Sequence, residues 1–302
     1  MEKEQEAMRL IRLMHAVTRT PKSTWSRDVE NGMSGGRISL ACRIFDLQLI
    51  ALASYRSYEV DLKRVFALLL VGEIDVAQDE DESLEERYED IVYEIKATYW
   101  GKELVEEFRS GKTNDAKYAL ACMRSRNAWE PDHPRRQWGK PRDFYNDWGW
   151  GEECQKFFEA IDNTLSITEC AGWLKYGVKP TNGSLETIAE HSVFSQLCAV
   201  VMNSVYSYGV DIEEVIFECA IHHFPDAALG AHTIFERHDD AVDTIYNLMQ
   251  FIDSWKLVQD SYIRYEHGDD RLSKFAKSST RLATDSMACF YDRKKELSRG
   301  RE

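Results

Sequence analysis

The chain has 302 residues and 43% hydrophobic content, enough for one large or two ordinary domains with real cores. Its 38 Lys and Arg against 52 Asp and Glu give a net charge of −14, which argues against a broad electrostatic grip on duplex nucleic acid; a small anionic ligand would need a local positive centre such as a metal. No apolar run is long enough to span a bilayer and the opening Met-Glu-Lys-Glu-Gln-Glu is unlike a signal peptide, so no membrane association and a cytoplasmic location are expected.

In chain order, Met8 to Val17 has helical spacing, and Thr20-Pro21 through Gly36 reads as a loop. Its Gly32-Met-Ser-Gly35-Gly36 lacks the lysine and spacing of a phosphate-cradling loop. Helices are expected from Ile38 to Tyr55 and from Asp61 to Val71. Asp79-Glu-Asp-Glu-Ser-Leu-Glu-Glu-Arg87 is a dense acidic run, read as a solvated loop and the first turn of a helix, where carboxylates favour the dipole. Residues 127–152 hold Pro131, Pro134 and Pro141 among Trp129, Trp138, Trp148 and Trp150. That is too aromatic for a flexible linker, and the connector is expected to pack on a lobe surface or cleft, nucleobase stacking being the other use of such rings. Beyond it come a helix from Cys154 to Thr168, a turn-rich loop from Trp173 to Gly183, and two helices around His191 and His222. A segment from Thr233 to Met249, a long helix through about Glu266, Gly268 and a last pair of helical stretches complete the chain. The seven cysteines include no Cys-x-x-Cys pair and mostly sit among apolar residues, so they read as reduced, buried thiols.

Displaced by 150 positions, the sequence matches itself without a gap from Ile38 to Ile95, with fourteen identities in fifty-eight positions. Leu47 meets Leu197, Ser57-Tyr58 meets Ser207-Tyr208, Val60-Asp61 meets Val210-Asp211, and Glu86-Arg87 meets Glu236-Arg237. This reads as a tandem duplication, with lobes at 1–126 and 153–302 and the connector between them. Repeats of this length are two domains and not a solenoid. A duplicated subunit can keep its dimer contacts internally, so the expected fold is all-α, two tandem helical bundles forming a pseudo-dimer, with further homo-oligomerisation left open.

The sharpest chemical signal lies in the second lobe. Ile188, Phe194, Leu197, Val201 and Val205 recur at the spacing of an amphipathic helix, and His191 shares their face. Asp211 followed by Glu214 is a capping-box start. Ile212, Val215, Ile216 and Cys219 form a stripe whose next members are His222 and His223, and Pro225 should stop the helix. A lone histidine on an apolar face is more often a hydrogen-bonded core residue; three on two neighbouring helices, with Asp226 just beyond, argue for a metal. In the first lobe the corresponding positions are Ala41, Gly72, Glu73 and Val76, which leaves no ligand set.

Glu186-Thr-Ile-Ala-Glu190-His191-Ser192, followed about thirty residues later by Ala220-Ile-His222-His223-Phe-Pro-Asp226, resembles the HD-domain metal-dependent phosphohydrolases, and among them the five-prime deoxynucleotidase branch. The resemblance implies HD-like helical bundles, one divalent transition metal and hydrolysis of nucleotide phosphate esters. It gives His191 and His222 as metal ligands and Asp226 as the residue that handles protons. The family's last ligand is an aspartate fifteen residues before a glycine; Asp253 has that spacing to Gly268, with Asp260 as the alternative. Trp173 corresponds to the tryptophan of an Arg-Trp pair that holds the nucleotide, with Lys175 or Lys179 to meet a phosphate. Two departures stand out: His223 replaces the family's aspartate, and Ala231 replaces a second aspartate of the nucleotidase branch. A set of His191, His222, His223 and Asp253 implies zinc, nickel, cobalt or manganese, its imidazole-rich character favouring the softer of these. Adjacent residues on a helix diverge by about 100°, so both His222 and His223 reach one ion only if the helix loosens before Pro225. The alternative is a catalytically inactive protein of the same fold that binds a nucleotide or a protein partner.

Overall fold

The computed structural model describes residues 2–18, 40–54, 59–80, 101–128, 188–222 and 255–299, and every regular element among them is an α-helix. In chain order these are α1 (Glu2–Thr18), α2 (Leu40–Ser54), α3 (Leu62–Glu80), α4 (Gly101–Ser110), α5 (Asn114–Ala128), α6 (Ile188–Tyr206), α7 (Ile212–Ile221), α8 (Trp255–His267) and α9 (Arg271–Arg299). No described helix is long and apolar enough to cross a membrane.

Several boundaries differ from the local signals. α1 starts at Glu2, ahead of Met8: Glu2 and Glu4 lie in its first turn, and Arg9 donates to Glu6 at 2.8 Å on its exposed face. α3 continues past Val71 to Glu80, so the first two residues of the acidic run end a helix and do not form a loop. Gly72 continues the helix because the space beside it is taken, as described below. α5 takes in residues 127–128 of the connector. α7 ends at Ile221 with His222 as its cap, ahead of Pro225. α9 is one 29-residue helix where two stretches were expected. The expected helices at 154–168 and 233–249, the connector beyond residue 128 and the loops at 20–36 and 173–183 lie outside the described residues.

Helix starts are set by side-chain caps. Asp61 Oδ1 accepts from the Lys63 N–H (3.0 Å) ahead of α3, and Asp211 Oδ1 accepts from the Glu214 N–H (3.2 Å) ahead of α7. Thr113 Oγ1 accepts from the Ala116 N–H (3.1 Å) ahead of α5, and Asp270 Oδ1 from the Ser273 N–H (2.9 Å) ahead of α9. Gly111, at φ +57°, lets the chain turn between α4 and α5 where a side chain would be strained.

α2 and α6 are buried nearly all round, as helices with neighbours on every side must be. α3 packs on α2, α4 and α5, as α7 packs on α6, α8 and α9. α2 touches α5 as α6 touches α9, and α4 touches α5 as α8 touches α9. The two groups of helices meet where α2 packs on α6 and α3 on α7, with α1 laid mainly on α6. The Phe66 and Phe217 rings sit 4.9 Å apart between α3 and α7. Between α2 and α6 the buried amides of Gln48 and Gln196 donate to each other, at 2.8 and 3.1 Å. Among the described residues, Cys122, Cys198 and Cys219 are buried thiols in no disulfide.

Candidate functional site

His191 lies in the first turn of α6 and is 4% exposed; its carbonyl accepts from Ser195 Oγ at 2.8 Å, one turn on. His222 caps α7 and is 2% exposed. α6 and α7 pack on each other, so both imidazoles sit in the interior on neighbouring helices. His222 Nδ1 lies 3.3 Å from the Glu218 carbonyl one turn earlier. In the tautomer that donates this bond, Nε2 carries the lone pair, which is how ligating histidines are commonly oriented. This arrangement fits a metal ligand. The ring of Tyr265, from α8, stacks on the imidazole with centroids 3.9 Å apart and planes 12° from parallel.

Four residues of α7 and α8 were not legible as site residues from spacing. Glu218 is fully buried, and its Oε1 accepts from Arg264 Nε while Oε2 is buried without a hydrogen-bond partner. Burial pushes the Glu218 carboxyl up to about 7, although the Arg264 guanidinium pulls the other way. Ser261 Oγ is likewise buried without a hydrogen-bond partner. Ser261, Arg264 and Tyr265 share one face of α8 by their spacing of three and four. Only the short step from Glu218 to His222 could have marked Glu218, because the α8 residues declare themselves through packing across helices.

His223, Asp226, Ala231, Asp253, Trp173, Lys175 and Lys179 lie outside the described residues. Two of the four proposed ligands are therefore placed, and among the described residues no three His, Cys, Asp or Glu side chains form a group that could hold a metal. Asp260 is exposed on α8 while Val258, Ser261 and Tyr265 are buried, so it is turned away from the interior. The alternative to Asp253 thus has no support from the helix that carries it.

The residues 150 positions earlier are built for packing. Ala41 is fully buried at the place of His191. A Cβ on Gly72, at the place of His222, would lie 2.2 Å from the Phe108 ring, so the ring fills the volume of the missing side chain. Glu73, at the place of His223, is buried and accepts from Arg43 Nε of α2. A side-chain cation is thereby held in the interior of the first half. Nearby, Arg109 of α4 donates to both carboxylate oxygens of the buried Asp75, at 2.6 and 3.1 Å. In comparison with known proteins, the chain matches no family model, no curated protein and no solved structure, and the functional reading rests on its own residues.

Proposed function

We propose that the second half is a metal-dependent phosphohydrolase acting on nucleotides, deoxynucleoside mono- or triphosphates, and that the first half is its internal pseudo-dimer partner without a metal. The observation that carries this reading is the burial of both His191 and His222 on mutually packed helices, where Ala41 and Gly72 stand in the first half. The resemblance of Glu190-His191-Ser192 and His222-His223-x-x-Asp226 to the HD-domain phosphohydrolases supports the reaction class. His191, His222, His223 and Asp253 would hold one divalent transition metal. Such a metal supplies a nucleophile at neutral pH and neutralises charge developing on the phosphoryl oxygens. By the same resemblance Asp226 would accept or return the proton, Trp173 would stack on the base, and Lys175 or Lys179 would meet a phosphate. A nucleotide substrate and buried thiols in no disulfide at Cys122, Cys198 and Cys219 support a cytoplasmic setting.

Elemental analysis of protein purified without chelator or affinity-tag metal tests this directly. A stoichiometric transition metal is expected, lost in His191→Ala and in His222→Ala, together with hydrolysis of at least one deoxynucleotide. A metal that binds only the native state at a hundredfold excess over its Kd stabilises it by about 2.7 kcal/mol, so chelator should lower the melting temperature of wild type and leave both variants unmoved. His223→Asp should reduce activity by disturbing the charge and geometry of a working site. A gain with manganese instead would identify a lapsed one. The second reading, an inactive protein that binds a nucleotide or protein partner, draws on the flat stacking of Tyr265 on His222, which an ordinary core histidine would also show. Protein that is metal-free and inert across a deoxynucleotide panel would decide for it.

A further inference from the structure

The halves meet along α3 and α7 through ion pairs that repeat with their charges exchanged. Lys63 pairs with Glu214 at 2.9 Å, and Arg64 pairs with Glu213. Positions 63 and 213, and positions 64 and 214, are 150 apart. Exchanging the halves turns the first pair into the second, so one contact is made twice, as across a two-fold axis. A third pair of positions joins them. Glu107 and Arg264 each offer the carbonyl that the glycine ending the helix donates to, Gly111 at 3.1 Å and Gly268 at 2.7 Å. Each is followed by the ring, Phe108 or Tyr265, that covers residue 72 or residue 222. Arg64 pairs with Glu107 at 2.5 Å inside the first half, and Glu214 with Arg264 at 2.6 Å inside the second. At all three positions the sign is reversed: Lys63 against Glu213, Arg64 against Glu214, Glu107 against Arg264.

We propose that this reversal selects the partner, so that each face accepts the other and rejects a copy of itself. Set in the same geometry, α3 against a second α3 would place Lys63 on Arg64 twice, and α7 against a second α7 would place Glu213 on Glu214 twice. The four side chains involved are 18–32% exposed, so water screens such repulsion only in part. The contacts beside the ion pairs do not repeat in this way: 150 positions from Phe66 and Phe217 stand Ile216 and Ala67, and 150 positions from Gln48 and Gln196 stand Cys198 and Asp46, so the exchanged charges are the part of the interface that maps onto itself. A chain with two similar self-pairing faces needs a repulsive element against the wrong pairing, and the exchanged charges provide it. The surface therefore fits one occupant, the opposite half, from the same chain or from a second copy. This inference rests on reading the halves as duplicates and not on the phosphohydrolase chemistry.

The test mixes two full-length chains carrying different tags. In K63E/R64E both faces are acidic, and in E213K/E214K both are basic. Neither can close on itself without like charges meeting, whereas a complex of the two, each half on the other chain's opposite half, restores all cross pairs. The costs at Glu107 and Arg264 are the same alone and mixed, so the comparison reads the faces only. After co-expression, a 1:1 complex is expected that dissociates with salt, enriched about tenfold over either self-complex, a ratio equivalent to about 1.4 kcal/mol. If a parent does not fold alone, the complex should be the only folded species. Chains that ignore each other, or a mixture melting as the superposition of its parents, overturn the proposal. In wild type, a zero-length carbodiimide should join Lys63 to Glu214. That cross-link with a failed mixing result removes charge selection alone, and its absence removes the pseudo-dimer reading as well.

Discussion

Gly72 shows how a residue can be fixed by something it lacks. Alanine has the better helix propensity, by about 1 kcal/mol, yet a methyl group at 72 would meet the Phe108 ring at 2.2–2.5 Å. Gly72→Ala is expected to lower stability by about 1–3 kcal/mol in urea denaturation, with partial recovery in Gly72→Ala/Phe108→Leu. Glu218 carries the opposite kind of tension. Its carboxyl titrates at about 7 in the folded chain against an ordinary value of 4.5, so the folded state binds the proton more tightly than the unfolded. The sign follows: stability from this group is full below about 4.5 and declines as pH rises through 7. Glu218→Gln should flatten that decline, read by denaturation across the range with chelator present; an unchanged slope would place the titration elsewhere. The burial of His191 and His222 was legible because helical spacing aligns them with apolar neighbours. Glu218 was not, since a carboxylate inside a helix pattern looks the same in sequence whether it meets water or Arg264.

At the scale of the element, α7 separates what local signals can and cannot say. The Asp211 and Glu214 spacing marks its start correctly, with Asp211 Oδ1 accepting from the Glu214 N–H at 3.2 Å. The Glu214 carboxylate instead meets Lys63 and Arg264, at 2.9 and 2.6 Å. Asp211→Ala should cost about 1 kcal/mol through the lost cap, measured by thermal melting, while Glu214→Gln should act mainly on the contact between the halves. α3 and α9 were misjudged for related reasons. A glycine within α3 reads as a stop until Phe108, distant in sequence, supplies its reason. Where a pair of helical stretches was expected, the hydroxyls of Ser278, Ser279 and Thr280 donate to carbonyls one turn back, at 2.7, 2.9 and 3.1 Å, and α9 continues through them.

At the scale of the whole molecule, the all-helical architecture was legible from periodicity. The cation held by Glu73 was not legible, because Arg43 reaches it from another helix. The Gln48 and Gln196 amides make a clean test of how tightly α2 and α6 are joined. Either Gln48→Leu or Gln196→Leu alone leaves a buried amide short of its partner and should cost about 1–3 kcal/mol, while the double substitution should cost less than the sum of the two, because no amide is stranded and only the long contact from Gln196 to Ser192 Oγ at 3.4 Å is lost besides. Costs that simply add in a double-mutant cycle would show that the two side chains act independently.

The buried cysteines make the chain its own clock. Burial pushes the thiols of Cys122 and Cys198 well above their ordinary range and that of Cys219 to about 12, so almost no thiolate is present in the closed chain. Alkylation must wait for the surrounding helices to part, and its rate counts those openings. Cys122 reports from α5 in the first half, Cys198 and Cys219 from α6 and α7 in the second. If the second half holds the proposed metal, chelator should quicken labelling at Cys198 and Cys219 while Cys122 keeps its pace; all three quickening together, followed by mass spectrometry, would mean that the halves breathe as one body.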